Sequence, residues 1–289
     1  MYERKRLRAR RARIGRLGRR APRRVRERRP RVSTGRGRRR YGGVRGGPRP
    51  WRGRVQLGDP ASGQTQRDIL DTDDFEDLLG GHGISEDSTV VLYGDNSNWF
   101  AAYAYWQFQY YGHGDVRLLD GGRDYWVEND YPLTDEVPEF SAVDYEASGP
   151  RESIRAYRDD VEKAIDRGVP LVDVRSPEEF SGEVLAPPGL QETAQRGGHI
   201  PGAKNISWAA VTNGDGTFKT REELEELYGE EGIDGEGTTV AYCRIGERSS
   251  VAWFALHELL GYEDTVNYDG SWTEWGNLVD APIETGEGG

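Results

Sequence analysis

A repeat limits this chain more than any other feature. At a fixed offset of 149 residues and without a gap, Phe75 pairs with Leu224, Leu78 with Leu227 and Gly80 with Gly229. The register continues through Gly83-Ile84 with Gly232-Ile233, Thr89 with Thr238, Tyr93 with Tyr242 and Gly112 with Gly261. It closes on Asp120-Gly121 with Asp269-Gly270 and on Trp126 with Trp275. A period this long means two copies of one domain, since solenoid repeats run about 20–50 residues.

Each copy alternates strand and helix patterns. In the first, Phe75, Leu78 and Leu79 space out a helix over Thr72 to Leu79, capped by Asp71 or Thr72 and ended by Gly80-Gly81-His82-Gly83. Thr89 to Tyr93 reads as a buried strand, Trp99 to Tyr111 as an aromatic helix and Val116 to Leu119 as a further strand. A turn at Asp120-Gly121-Gly122 and a short helical piece from Arg123 to Glu128 follow. Such alternation predicts α/β domains, each a mainly parallel sheet flanked by helices. The chain divides into an anomalous segment 1–63, the remainder of one domain at 64–137, a linker at 138–150 and a second domain at 151–289. Pro138, Gly149 and Pro150 mark the linker.

The only cysteine lies in the second copy, within Tyr242-Cys243-Arg244-Ile245-Gly246-Glu247-Arg248-Ser249-Ser250. The apolar run Thr239 to Tyr242 predicts a strand, and Val251, Phe254, Ala255, Leu259 and Leu260 predict a helix from Ser249. Cys243 therefore sits at the carboxyl end of a strand, where open α/β sheets place their active loops. Helix-leading N–H groups and two arginines favour a thiolate there, the reactive form of the residue. Gly246 permits the positive φ that lets a loop curl into an anion-binding nest. The plain alternative is a small buried hydrophobe, the usual fate of a free cysteine. In the first copy Gly94 stands at the matching position and Asp95-Asn96-Ser97-Asn98 follows, with neither thiol nor cation. That copy is expected to be catalytically silent and to form one wall of the cleft.

Cys243-Arg244-Ile245-Gly246-Glu247-Arg248-Ser249 resembles the active-site loop of the rhodanese family, in particular its tandem-domain thiosulfate sulfurtransferases. Three further stretches carry the resemblance: Leu171-Val172-Asp173-Val174-Arg175-Ser176-Pro177-Glu178-Glu179-Phe180, Gly198-His199-Ile200-Pro201-Gly202-Ala203 and Tyr268-Asp269-Gly270-Ser271-Trp272. It covers the chain from about residue 64 onward.

The resemblance implies two rhodanese-like domains and a ping-pong cycle through a Cys243 persulfide, with thiosulfate as donor and cyanide or a thiol as acceptor. Arg244, Ile245, Gly246, Glu247 and Arg248 would form the substrate cradle, with Arg244 on the sulfonate and Arg248 closing the loop. Asp173 and Ser249 would support it from behind. Many members carry a substrate-binding arginine where Glu178 and Glu179 stand here; Arg196 is the candidate substitute, with a plain surface arginine as the alternative. Arg175 is expected to be structural. His199 reads as a turn-fixing residue rather than a general base, since a preformed thiolate needs none. No cofactor or metal is implied. The related phosphatases space their arginine as Cys-x5-Arg, one residue wider than here. Mercaptopyruvate sulfurtransferases typically lack the arginine after the cysteine, so Arg244 favours thiosulfate. A 3-mercaptopyruvate enzyme and a non-enzymatic persulfide carrier remain the alternatives.

Charge splits the chain in two. The net charge of −11 hides 23 arginines, one lysine and two glutamates in residues 1–55. That leaves 15 basic and 48 acidic residues in 56–289, where the only lysines are Lys163, Lys204 and Lys219. Salt would screen such self-repulsion, which points to a halophilic source. An acidic body also argues against a nucleic-acid partner. With no apolar run of membrane length and no apolar segment behind the basic leader, the expectation is a cytoplasmic monomer without membrane contact.

The leader itself reads better one base later. Val55 to Gly63 can then decode to Phe-Asn-Trp-Glu-Thr-Gln-Leu-Gln, and Gly47 to Arg52 to Gly-His-Ala-Pro-Gly. Gly42 to Gly47 can give Glu-Ala-Tyr-Glu-Glu, and Thr34 to Tyr41 Leu-Val-Glu-Val-Asp-Val-Asp. The decoded His, Gly and Trp repeat the spacing of His199, Gly202 and Trp208. Residues 1–63 are therefore read as a frameshift product, disordered for want of apolar side chains, with the true frame restored near Gly63 or Gln64. A real arginine-rich arm is the alternative, though salt would weaken its binding steeply.

Overall fold

The computed structural model describes residues 68–135, 139–190 and 193–286. All belong to one compact unit, Gly47–Gly289. The expectations for residues 1–63 lie outside the described residues.

The first half opens with α1 (Thr72–Gly81), capped by Asp71, whose carboxylate accepts the Asp74 N–H at 2.9 Å. Asp73 and Asp74 place negative charge in the first turn, where the helix dipole favours it. β1 (Val90–Leu92) and β2 (Val116–Leu118) pair in parallel as a two-stranded sheet. Between them runs α2 (Trp99–Tyr110), apolar all round and accordingly buried along most of its length. α3 (Gly122–Glu128) follows the Asp120-Gly121 turn. Residues 139–150 carry no helix or strand, yet Tyr145 is buried there and its hydroxyl meets His113 Nδ1 at 3.0 Å.

The second half holds β3 (Arg155–Ala156), α4 (Arg158–Arg167), β4 (Leu171–Asp173), α5 (Pro177–Ser181) and β5 (Lys204–Asn205). α6 (Arg221–Gly229), β6 (Thr239–Tyr242), α7 (Glu247–Trp253), β7 (Thr265–Tyr268) and α8 (Ser271–Trp275) complete it. The five strands pair in parallel in the order β3-β7-β6-β4-β5. β6 is thus central and buried at every residue, and the loop that leaves it emerges from the middle of the sheet. The helix expected from Ser249 starts two residues earlier and passes after Trp253 into a π-helical stretch, Phe254–Leu259, where the Leu260 N–H reaches Ala255 O at 3.0 Å.

At the 149-residue offset β1 and β2 match β6 and β7. α2 packs against α7, and the Tyr105 and Phe254 rings meet edge-to-face at 4.8 Å. One apolar cluster therefore joins Phe75, Tyr105 and Trp106 to Ile154, Trp253 and Phe254 across the two halves.

Candidate active site

Cys243 follows β6 and has no exposed surface. Its Sγ accepts the N–H of Gly246 at 3.2 Å. The rest of the loop is aimed by its carbonyls. The α8 N–H groups of Trp272 and Thr273 donate to Cys243 O at 3.0 Å and Arg244 O at 2.9 Å. Gly246 O accepts from the hydroxyl of Ser250 at 3.0 Å and from Asn267 Nδ2 at 3.2 Å, with the Ser249 hydroxyl also at 3.0 Å. The single Ser249 proton has a shorter route to Asn267 Oδ1, at 2.7 Å. These bonds fix the loop's carbonyls in the scaffold and so hold the peptide planes around the sulfur in place.

Gly246 has φ +87°, and a Cβ there would stand 2.6 Å from the Asp269 Cα. Only glycine fits this turn. Cys243's own N–H is held by Ser271 Oγ at 3.1 Å, and that hydroxyl donates to Tyr268 O at 2.7 Å. Ser271 keeps this position in a left-handed conformation, φ +53°. Ser271, Asn267 and Ser250 were not singled out from the sequence, although Ser250 and Ser271 lay within quoted stretches.

The two arginines differ. Arg248 presents both terminal nitrogens to Glu179, Nη1 to Oε2 and Nη2 to Oε1, each at 2.8 Å, with the pair almost wholly buried. Burial opposes the charge on Arg248, but the bonds to Glu179 and the nearby Cys243 and Glu179 charges outweigh it and raise its pKa above the arginine norm. Burial likewise works against ionised Glu179, yet Arg248 holds its carboxyl below the usual glutamate value. Arg244 is pushed the other way, lowered by burial and then by the like charge of Arg248, against the pull of Cys243. No partner for Glu179 is legible in the sequence because it also closes the capping box of α5, where its N–H bonds Ser176 Oγ and its carboxylate accepts the Ser176 N–H.

Asp173 and Arg175 lie behind the loop. Arg175 grips Asp173 through Nε at 2.9 Å and Nη2 at 2.5 Å, donates to Gly198 O at 2.7 Å and lies 4.4 Å over the Trp272 ring. Trp272 in turn holds Cys243 O, so Asp173 reaches the cysteine through two intermediaries. His199 Nδ1 donates to Phe180 O at 2.9 Å, its ring stacks on Phe180 at 3.6 Å, and its backbone pairs with Glu284. These contacts tie the His199 turn to α5 and to Glu284. Arg196 is committed elsewhere: its guanidinium donates to the carbonyls of Trp275, Gly276, Leu278 and Ala281. Those bonds tie down the segment after α8 and account for the residue without a substrate role. Its position just before Gly197-Gly198-His199 suggested a site residue because the partners lie about 80 residues further along the chain.

The first half supplies Trp99, whose ring lies 5.9 Å from the Arg248 guanidinium carbon and 5.4 Å from the Trp208 ring. Its own loop is braced by a side chain. Asn96, Ser97 and Asn98 are all left-handed, and the Asn98 amide accepts the Gly94 N–H at 2.9 Å while donating to Leu119 O at 2.6 Å.

A strand-end cysteine in a hydrogen-bonded ring, backed by buried arginines on a duplicated parallel α/β scaffold, defines a sulfurtransferase. The chain belongs to the rhodanese family: the rhodanese-like domain matches it twice, over residues 55–129 and 157–278. It is similar to a Haloferax volcanii protein designated "Putative thiosulfate sulfurtransferase", 77% identical over 223 residues, covering 77% of this chain and 78% of that one. It is also similar to the sulfur carrier protein TtuD of Thermus thermophilus, 56% identical over 227 residues, covering 76% and 79%. Among solved structures, EanB with a cysteine persulfide in a tetrahedral intermediate state with ergothioneine aligns at TM-score 0.68 and 28% identity. That alignment covers 75% of this chain and 56% of EanB's. Among the described residues no helix is long and apolar enough to cross a membrane.

Proposed function

We propose that the chain moves the outer sulfur of thiosulfate through a Cys243 persulfide to cyanide or a thiol. The Cys243 thiolate attacks the outer sulfur, the S–S bond of thiosulfate breaks and its electron pair leaves with sulfite. The acceptor then attacks the terminal sulfur of the persulfide, and the thiolate returns. Both anionic states, thiolate and persulfide, benefit from N–H groups fixed in advance around the sulfur. The observation that carries the reading is the Gly246 N–H on Sγ, with the carbonyls of Cys243, Arg244 and Gly246 all bonded into the scaffold. In this reading Arg244 meets the sulfonate and Arg248, fixed by Glu179, holds the loop shut.

The test is mass spectrometry of the protein after thiosulfate, followed by cyanide. The expected result is one added sulfur atom on Cys243, then its loss with release of thiocyanate, and neither in Cys243→Ser. Faster turnover with 3-mercaptopyruvate than with thiosulfate would reassign the donor. The likeness to TtuD supports a second reading, a persulfide carrier for a partner protein; it predicts a persulfide that cyanide removes only slowly.

A further inference from the structure

The first half carries a sheet edge that its twin does not. In the second half β6 is flanked by β7 on one side and by β4, then β5, on the other. β1 takes the place of β6, and among the described residues no strand lies on its far side. The ladder to β2 runs through Val90 and Leu92: Val90 N–H donates to Asp115 O, and Leu92 O accepts from Leu119 N–H, both at 2.9 Å. Peptide groups alternate in direction along a strand, so the N–H and C=O of Val91 face the open edge. Its counterpart Val240 pairs with Leu171 of β4 and donates to Pro170 O at 3.0 Å. Val91 is 51% exposed, where Val240 is 2% exposed.

Beside this edge lies an apolar cavity of about 530 Å³, lined among others by Ile84, Val91, Leu119, Trp126 and Leu133. In the second half the residues matching Val91, Leu119 and Trp126 are Val240, Tyr268 and Trp275. All three are buried in a core completed by Leu171 of β4, Phe180 of α5, and Ile200 and Ala203 ahead of β5. Among the described residues the cavity is that core without the wall that β4 and β5 supply. An apolar void of about 150 Å³ already suffices to hold a small aromatic molecule.

A shifted reading frame is compatible with the same wall. Thr34 to Tyr41 can decode to a stretch beginning Leu-Val-Glu-Val, the pattern of Leu171-Val172-Asp173-Val174, whose first three residues are β4. Gly47 to Arg52 can decode to Gly-His-Ala-Pro-Gly, the pattern of Gly198 to Gly202, which leads into β5. We propose that the open edge of β1 and its cavity are the seat of a two-strand unit built like β4 and β5. Its source is the first sixty or so codons of this gene, translated one base later than in the present sequence. The arginine-rich segment is a poor occupant, because unpaired charge in an apolar pocket is strongly disfavoured. β1 runs through Gly94 into Asn98 and Trp99, so a completed sheet also steadies the wall that faces Arg248.

Two full-length chains test this, the present one and one with the frame restored. In the restored chain the Val91 amide should exchange its hydrogen about tenfold more slowly or better, binding of an apolar fluorescent dye should fall, and the melting temperature should rise. Equal Val91 exchange in the two chains, with no gain in melting temperature, would overturn the proposal. So would Val91 protection that grows with protein concentration, which would put a second copy on the edge. Peptides of the protein from its native source should match the shifted frame, and arginine-rich peptides from residues 1–55 would refute it without any variant.

Discussion

Replacing Glu179 with glutamine tests the loop at its most consequential buried contact. The carboxylate accepts two charge-assisted bonds of 2.8 Å from Arg248, and neither side chain is more than 6% exposed. Removing one member of a buried pair leaves the other charge uncompensated, at a cost of about 3–5 kcal/mol. For a folded unit of this size each kcal/mol lowers the melting temperature by about 2–4 °C, so Glu179→Gln should melt about 6–20 °C lower, by calorimetry. Arg248 is the second residue of α7, directly behind the loop, so its release should misplace the ring around Cys243. Misplacements of about 1 Å cost catalysis on the order of a hundredfold, read here as kcat/KM for thiosulfate in a thiocyanate assay. pH adds a signature. The folded-state pKa of Glu179 is lowered, so its contribution is complete above the unfolded value of about 4.3 and fades as pH falls through the folded value. The gap between parent and variant should therefore close on acidification. A variant that melts within about 1 °C of the parent and turns over normally would mean that the Arg248–Glu179 pair does not hold the loop.

Gly246→Ala should abolish persulfide formation, since the new Cβ meets the Asp269 backbone and the left-handed φ costs a non-glycine residue about 1–3 kcal/mol; mass spectrometry after thiosulfate checks it. Arg196→Ala should lower the melting temperature by freeing the segment after α8, while KM for thiosulfate stays unchanged; a large rise in KM would restore Arg196 as a sulfonate ligand. Ser271→Ala leaves the buried N–H of Cys243 without its acceptor, at about 1–3 kcal/mol. The accompanying drop in melting temperature should come with slower persulfide formation in single-turnover kinetics.

Periodicity placed the elements around the site with little error. β6 begins and ends where the apolar run Thr239 to Tyr242 does, and Asp71 caps α1 as its side chain suggests. The duplication showed which copy carries the thiol, because a gap-free register sets Gly94 against Cys243. Partnerships across the chain were not legible. Glu179 and Arg248 are 69 residues apart, and a capping box already explains a glutamate three places after Ser176. Asn267 and Ser271 orient the loop from strand β7 and the turn beyond it, and single polar residues at such places look like any others in a sequence. The switch from α to π geometry after Trp253 had no sequence signal. It carries both Trp253 and Phe254 into the core shared by the two halves.

The Asn98 amide that ties Gly94 to Leu119 also governs how this chain could change. Grafting a thiol at Gly94 should not create a second working centre, since the Gly94 N–H is already held by the Asn98 amide and Asp95-Asn96-Ser97-Asn98 carries no cation. With one cysteine in the sequence, labelled sulfur taken up in a single round should equal the number of protein molecules and never twice that number. The polypeptide thus titrates its own concentration.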